Sequence, residues 1–114
     1  MFLAADIGTT TIKACIAHGG KILAVGSMAL PTGENIGEQD PHDWRRCLSA
    51  LVAEVTTTAG IEPGWLEGVS FSSHSPSLVP VDGTGQFLYP CILWNDRRAV
   101  TQSHRLTEKL GRPW

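Results

Sequence analysis

The sequence predicts an α/β fold in which a mixed β-sheet carries packed helices. Three apolar runs of strand length open the chain, and Gly19-Gly20 separates the second run from the third. An amphipathic segment of helix length follows, and further strand-length runs lead to a second helical segment. Three strands, a helix and then more strands are typical of a mixed sheet covered by helices.

The opening strands are predicted at Phe2 to Ile7, Ile12 to His18 and Lys21 to Leu30. In the second of these runs, apolar residues alternate with residues of the opposite face, as in a half-buried strand. The Gly19-Gly20 pair is typical of a two-residue hairpin loop. The three strands are therefore expected to be consecutive and antiparallel.

The segment from 31 to 39 is interpreted as a loop because it contains Pro31, Gly33, Asn35 and Gly37. A helix is predicted to begin at Asp40-Pro41, with Asp40 as N-cap and proline at the first helical position. Asp43 would favour the positive end of the helix dipole, and Gly60 would end the helix. The residues predicted to form its apolar face are Trp44, Leu48, Leu51, Val52 and Val55.

Shorter elements are predicted in the second half of the chain. Strands are expected at Leu66 to Ser73 and Leu78 to Val81, followed by a turn at 82–85 and a return strand at Gln86 to Leu88. Cys91 to Trp94 is a further apolar run, and a second helix is predicted from Asp96 to Leu110. Three antiparallel strands and a helical crossover to another strand are the arrangement of a ribonuclease-H-like or actin-like half.

The composition disfavours several classes of function. The net charge is −2, and no basic run is longer than two residues, so nucleic-acid binding is disfavoured. No apolar stretch is long enough for a membrane span, and the N-terminus lacks the pattern of a signal peptide. Cys15, Cys47 and Cys91 are interpreted as reduced thiols of a cytoplasmic protein, since their spacing matches no metal site.

The first candidate site runs from Asp6 to Lys13, at the tip of a predicted hairpin. Gly8 lets the backbone approach a ligand closely, and nearby N–H groups with the hydroxyls of Thr9, Thr10 and Thr11 can donate to phosphate oxygens. Asp6 suits a Mg²⁺ ion held through water, and Lys13 adds positive charge. The alternative is an ordinary hairpin with threonines chosen for strand propensity. The Walker A pattern is not present in this sequence.

The second candidate site is the polar cluster that follows the strand ending at Ser73. Ligands of α/β proteins bind beyond strand ends, so Ser73, His74 and Ser75 could bind a polyol. His74 is alternatively a structural histidine.

The third candidate site is the segment Trp94 to Arg97. Trp94 could form an apolar wall against a sugar, while Asn95, Asp96 and Arg97 offer polar groups to its hydroxyls. The alternative is a buried tryptophan followed by a helix N-cap at Asn95 or Asp96 and surface arginines.

Taken together, these segments resemble the N-terminal domain of the FGGY carbohydrate kinases. The matching stretches occur in family order over nearly the whole chain: Asp6-Ile7-Gly8-Thr9-Thr10, Gly37-Glu38-Gln39-Asp40-Pro41 with Trp44, Val69-Ser70-Phe71-Ser72-Ser73, Val81-Asp82, and Ile92-Leu93-Trp94-Asn95-Asp96-Arg97. The resemblance implies an actin-like ATPase fold with two domains around a cleft. It also implies transfer of the ATP γ-phosphate to a sugar or polyol hydroxyl, with ATP and Mg²⁺ at the Asp6 to Thr10 loop.

Two departures from the family pattern limit what the resemblance implies. Xylulose and gluconate kinases usually have Met-His at the positions of Ser75 and Pro76, and glycerol kinases have Arg-Glu, so no particular sugar is assigned. Family members are also several hundred residues long, and their catalytic base lies in later segments. No catalytic residue is therefore expected within 1–114, and Asp82 is expected to be only a turn residue.

A chain of this length is expected to be part of the N-terminal domain and to be inactive by itself, with apolar surface that favours self-association or a homodimer. Two alternative functions stay open at this point. One is another actin-like ATPase, such as a chaperone or a reductase activator, which drives a protein partner. The other is a non-catalytic fragment that acts as an interaction module.

Overall fold

A four-stranded mixed sheet lies at the centre of the structure, a computed structural model that describes residues 1–31, 33 and 36–111. The strands are β1 (Phe2–Ile7), β2 (Thr11–His18), β3 (Lys21–Ala29), β4 (Glu38–Gln39), β5 (Gly68–Ser73) and β6 (Cys91–Ile92). The helices are α1 (Pro41–Ala59) and α2 (Val100–Leu110), and a short 3-10 helix covers Pro63–Trp65.

The main sheet has the strand order β3-β2-β1-β5. β1, β2 and β3 are antiparallel neighbours, whereas β5 is parallel to β1 and follows the crossover through α1. Gly19 and Gly20 form the hairpin turn with φ angles of 56° and 76°, which glycine adopts without steric cost. The predicted α/β class and the order of the opening strands are therefore confirmed.

Helix α1 covers the part of the sheet formed by β2 and β3. Its start is capped as predicted, because the Asp40 carboxylate accepts a hydrogen bond of 2.8 Å from the N–H of His42. Its end is Gly60, in the left-handed conformation. Leu51 and Val55 are fully buried and pack in one cluster with Ile12 and Ile16 of β2. The same cluster includes Leu3 and Ala5 of β1, so the core lies between α1 and the first three strands.

The end of β5 near Phe71 is poorly covered. Val69 and Phe71 pair with Leu3 and Ala5 of β1, so they lie on the same face of the sheet as α1. Helix α1, however, covers that face over β2 and β3. Val69 and Phe71 are 52% and 59% exposed. The expected apolar surface is present, whereas self-association through it stays a prediction. Among the described residues, no helix has the length and hydropathy needed to cross a membrane.

A second, two-stranded sheet was not predicted. β4 pairs with β6 in antiparallel register, with Glu38 opposite Ile92 and Gln39 opposite Cys91. The loop predicted from 31 to 39 is wrong at its end, because Glu38 and Gln39 form β4. Positions 32, 34 and 35, among them the turn-favouring Asn35, lie outside the described residues.

Two predicted strands are wrong. Leu78 to Val81 and Gln86 to Leu88 form only isolated bridges, Leu78 with Ile92 and Val81 with Phe87. Pro80 lies between these bridges and can accept but not donate a backbone hydrogen bond. A regular ladder is therefore not continued along this segment.

The second helix begins later than predicted, at Val100 rather than at Asp96. Its N-cap position is Ala99, so the alternative in which Asn95 or Asp96 caps the helix is wrong. The reason is that the Asp96 carboxylate accepts from the backbone N–H of Arg98 and from its guanidinium, both at 2.8 Å. Those bonds hold residues 96 to 98 in a turn before the helix starts.

Candidate functional site

The turn between β1 and β2 carries the predicted phosphate loop, residues 8 to 10. The N–H of Gly8 donates to the carbonyl of Thr11 over 3.0 Å and closes the turn. A Cβ at position 8 would lie 2.8 Å from that carbonyl oxygen, closer than such atoms approach. Glycine is therefore required here by close contact between two parts of the backbone. The turn is open to solvent, since Thr10 is exposed and Thr9 is half-buried.

Two carbonyls of this turn are held by other parts of the chain. The Thr9 carbonyl accepts from Nε2 of Gln39, and the Thr10 carbonyl accepts from the N–H of Leu30 over 2.9 Å. In a planar trans peptide the C=O and the following N–H point in opposite directions. The N–H groups of Thr10 and Thr11 are thus turned away from Gln39 and Leu30, respectively.

A cavity of about 320 Å³ brings the phosphate loop next to the third candidate segment. Thr9 and Thr10 line one side of it, and Asn95 and Leu93 line another. The floor between them is β4, through Glu38 and Gln39. Two segments about 85 positions apart in sequence therefore share one opening.

Asp6 and Lys13 lie elsewhere around the loop. They are directly opposed in the β1–β2 register, and both line a shallow depression of about 380 Å³ on the face of the sheet away from α1. Ser72 of β5 pairs with Asp6 there. The structure thus separates the predicted Asp6 and Lys13 from the cavity that Thr9 and Thr10 line.

Magnesium is compatible with Asp6 only as a largely hydrated ion. Mg²⁺ keeps several waters and often takes one or two protein carboxylates together with phosphate oxygens. Asp6 is an exposed carboxylate at the end of β1. Within 1–31, 33 and 36–111, no group of three or more His, Cys, Asp or Glu side chains could hold a metal by itself. Asp6 therefore offers a single carboxylate, which fits an ion held through water.

The second candidate segment continues directly from the end of β5. The N–H of His74 donates to the Ile7 carbonyl over 3.1 Å, so the ends of β1 and β5 are adjacent. The His74 ring contacts Trp44 edge-on, with centroids 5.5 Å apart, and its Nδ1 lies 2.9 Å from Oγ of Ser77. A second cavity, of about 260 Å³, lies beside Ser73 and His74. Ser75 is exposed and is joined to Pro76 by a cis peptide bond.

The third candidate segment contains exposed residues and one residue whose side chain is buried in an ion pair. Trp94 is 56% exposed, so the alternative of a buried tryptophan is wrong. Asn95 and Arg97 are also exposed. Asp96 is different: its side chain is 8% exposed and lies 2.5 Å from the guanidinium of Arg98. The hydrogen bond from Arg98 is the main reason that the pKa of Asp96 lies below its usual range.

Several residues of the site were not predicted from the sequence: Glu38, Gln39, Trp44, Tyr89 and Arg98. Arg98 also lies 2.7 Å from Oε1 of Glu38, whose side chain is 7% exposed, and the hydroxyl of Tyr89 donates to the same oxygen over 3.0 Å. Hydrogen bonds to Asp96, Glu38 and Tyr89, in that order, raise the pKa of Arg98. The sequence signal that could have pointed to these residues is the pair Glu38-Gln39, two polar residues that come immediately before the helix N-cap at Asp40.

Comparison with known proteins identifies the family of this chain. The sequence model of the FGGY family of carbohydrate kinases, N-terminal domain, matches residues 1–113. A xylulose kinase of Bacillus subtilis (strain 168) is 34% identical over 110 residues, which are 93% of this chain and 22% of that protein. A gluconokinase of the same organism is 29% identical over 113 residues, which are 96% of this chain and 22% of that protein.

The fold has solved counterparts as well. The crystal structure of a xylulose kinase from Rhodospirillum rubrum superimposes with a TM-score of 0.84 at 30% identity, covering 94% of this chain and 23% of that one. These kinases have the actin-like ATPase fold, which confirms the fold predicted above. The chain spans less than a quarter of the length of the relatives that it matches. Its match to the family model over 1–113 means that the chain belongs to the FGGY family of carbohydrate kinases, within the N-terminal domain.

Proposed function

We propose that the protein containing this chain transfers the γ-phosphate of ATP to a hydroxyl of a sugar or polyol. The observation that supports this most directly is a shared cavity. It is lined by Thr9 and Thr10 of the phosphate loop and by Asn95 of the segment Trp94 to Arg97, called the sugar-side segment from here on. Relatives named xylulose kinase and gluconokinase indicate the substrate class. Pentuloses, sugar acids and polyols are therefore the first compounds to test.

The loop is proposed to bind the phosphates. The Thr9 and Thr10 hydroxyls and the N–H groups of Thr10 and Thr11 would donate to phosphate oxygens, each bond to a charged oxygen contributing about 1.5–3 kcal/mol. Asp6 and Lys13 lie outside the shared cavity, so we propose that they act only on phosphates that extend past the loop, Lys13 through its charge and Asp6 through a hydrated Mg²⁺ ion. When bound, the Mg²⁺ ion would neutralise the negative charge of the phosphates. Positioning and charge stabilisation carry most of the catalysis in phosphoryl transfer.

The sugar is proposed to bind at Ser73, His74, Ser75 and the segment Trp94 to Arg97. Trp94 offers an exposed indole face, and Asn95 lies on the wall of the shared cavity. Because Asp96 forms an ion pair with Arg98, we propose that Asp96 holds this segment in place rather than binding the sugar itself. The general base is expected outside 1–114, and the cytoplasmic location expected from the cysteines stays a prediction.

The test is ADP release by the full-length gene product with ATP, Mg²⁺ and a panel of pentuloses, hexuloses, sugar acids and polyols. One compound should raise ADP release in proportion to its own phosphorylation. Trp94→Ala should raise the KM for that compound about tenfold or more, because the apolar wall is lost. Trp65→Ala is the matched control, since Trp65 is equally exposed at 56% and lies in the 3-10 helix.

ADP release that no sugar changes would contradict this proposal and favour an ATPase that drives a protein partner. The 114-residue chain assayed alone is expected to give little or no turnover.

A further inference from the structure

The short strand β4 consists of two buried polar residues. Glu38 is 7% exposed and Gln39 is 8% exposed. Buried polar side chains are nearly always hydrogen-bonded, because leaving one without a partner costs about 1–3 kcal/mol. The partners of these two side chains lie in different parts of the candidate site.

Gln39 joins the phosphate loop to helix α1. Its Nε2 donates to the Thr9 carbonyl, and its Oε1 accepts from the indole N–H of Trp44 over 3.0 Å. The first bond fixes the plane of the peptide between Thr9 and Thr10, and therefore the direction of the Thr10 N–H. The second bond fixes the amide of Gln39 itself, because its two ends cannot exchange without losing both partners.

Glu38 joins the same strand to the sugar-side segment. Its Oε1 lies 2.7 Å from Arg98, and Arg98 also holds Asp96 at 2.5 Å. The backbone adds a further link, since the N–H of Leu93 donates to the Gly37 carbonyl over 2.8 Å. A continuous chain of bonds thus runs from the Thr9 carbonyl through Gln39 and Glu38 to Arg98 and Asp96.

We propose that β4 is a positioning element that sets the phosphate loop against the sugar-side segment, with Gln39 and Arg98 as its two positioning residues. This inference rests on the proposed kinase function, because it assigns β4 a part in aligning the two substrates. Gln39 and Arg98 need not touch either substrate. Misplacement of reacting groups by about 1 Å can cost roughly 100-fold in rate, so a two-residue strand between the loop and the segment can affect turnover strongly.

The main test is Gln39→Glu in the full-length protein. The new carboxylate keeps an acceptor for Trp44 but faces the Thr9 carbonyl with an oxygen instead of a donor, so the peptide plane should turn. We expect kcat to fall roughly 10- to 100-fold, the KM for ATP to rise, and the KM for the sugar to stay within about twofold. Gln102→Glu makes the same chemical change on the exposed surface of α2 and should leave the kinetics unchanged.

The second test examines the other end of the element. Arg98→Lys keeps the charge but cannot hold Glu38 and Asp96 in the same two-armed geometry. We expect kcat to fall by roughly tenfold and the KM for the sugar to rise. In the double variant with Gln39→Glu, the two losses should be smaller than their product, because both changes break one connection.

The outcomes separate the two proposals. Wild-type protein without any sugar-dependent turnover would overturn the proposed function, and this inference with it. Normal kcat in Gln39→Glu, or a loss that only follows the fraction of folded protein measured by circular dichroism, would overturn the inference and leave the kinase intact. Strictly multiplicative losses in the double variant would show two independent anchors and would also overturn it. If Gln39→Glu does not fold, Arg98→Lys decides: a lower kcat with a higher KM for the sugar supports the inference, and unchanged values of both overturn it.

Discussion

Gly37 lies directly against Asp96, so that a Cβ at position 37 would be 3.3 Å from both the Cα and the Cβ of Asp96. Gly37 also has a φ of +94°, in the region that residues with a Cβ rarely adopt. The residue that precedes β4 is therefore constrained twice, by its own backbone and by the turn that carries the sugar-side segment. This contact places the start of β4 directly against the backbone and the side chain of Asp96.

Gly37→Ala is expected to destabilise the protein by about 1–2 kcal/mol from the backbone conformation alone, and by more through the contact with Asp96. The measurement is the free energy of unfolding in urea. Gly85→Ala is the matched control: Gly85 has a φ of +84°, but a Cβ there would meet nothing within 4 Å. The excess of the first variant over the second reports the Asp96 contact. Equal losses in the two variants would contradict the packing argument.

Packing between α1 and the sheet depends on Gly26 of β3. A Cβ at this position would lie 2.7 Å from Cδ1 of Leu51 and 2.9 Å from Cγ1 of Val55, both of them core residues. Gly26→Ala should therefore destabilise the protein by about 1–3 kcal/mol through overpacking. The urea midpoint should fall, while Gly64→Ala, where a Cβ meets nothing within 4 Å, should change it little.

The sharper form of this test combines two changes. Leu51→Ala alone should cost about 2–5 kcal/mol because it leaves a cavity. In the Gly26→Ala background it should cost less, since the new methyl group fills part of the space that Leu51 leaves. Additive losses would mean that the methyl group is accommodated by movement of the strand rather than against Leu51.

The elements that the sequence predicted well are those with local signals. The β2–β3 hairpin depends on Gly19-Gly20, and α1 depends on the cap at Asp40 and the spacing of its own apolar residues. The structure confirms them because neighbours in sequence determine them. β5 was predicted from a local signal as well, because Val69 and Phe71 lie on one side of the segment from Leu66 to Ser73.

The elements that were missed depend on partners far along the chain. β4 is a strand only because β6 lies beside it, more than 50 positions later, and the two residues of β4 have no periodicity of their own. The start of α2 was misplaced because Asp96 looks like a helix cap, whereas its carboxylate is occupied by Arg98. Gln39 could not be assigned to the site for the same reason, since its partner Thr9 is 30 positions away.

The phosphate loop offers a direct prediction about activity. Gly8→Ala would place a methyl group 2.8 Å from the Thr11 carbonyl oxygen, which is backbone and cannot swing aside. The turn must open, so the donors of Thr10 and Thr11 should lose their alignment toward phosphate. We expect kcat/KM for ATP to fall at least tenfold, equivalent to about 1.4 kcal/mol of transition-state stabilisation. Steady-state kinetics of the full-length protein measure this fall.

A suitable control for this variant is Gly83→Ala, because a Cβ at Gly83 would meet nothing within 4 Å in the turn at 82–85. That variant should keep the wild-type kcat/KM. Unchanged kinetics in Gly8→Ala would mean that the loop between β1 and β2 does not bind the nucleotide, and the roles proposed for Thr9 and Thr10 would be wrong.

The turn at Asp82 leads to a prediction about acid stability. Oδ1 of Asp82 accepts from the hydroxyl and the N–H of Thr84 and from the N–H of Gln86, at 2.7, 2.8 and 2.9 Å. These bonds, with the Thr84 hydroxyl first, hold the pKa of Asp82 below its usual range. A carboxyl group with a lowered pKa in the folded state stabilises the protein above its unfolded pKa. That contribution disappears as the pH falls through the folded pKa.

The free energy of unfolding should therefore decrease as the pH falls from about 5 into the range below 4, the ordinary pKa of an aspartate. Asp82→Asn keeps an oxygen acceptor but cannot titrate, so the decrease should be shallower in this variant. Glu108→Gln removes an exposed carboxylate from α2 and serves as a charge-matched control with the wild-type slope. Because Asp82 is expected to be only a turn residue, Asp82→Asn should also retain full kinase turnover at neutral pH. An unchanged acid slope would show that these hydrogen bonds do not persist in solution, and a loss of turnover would show that Asp82 acts in the reaction.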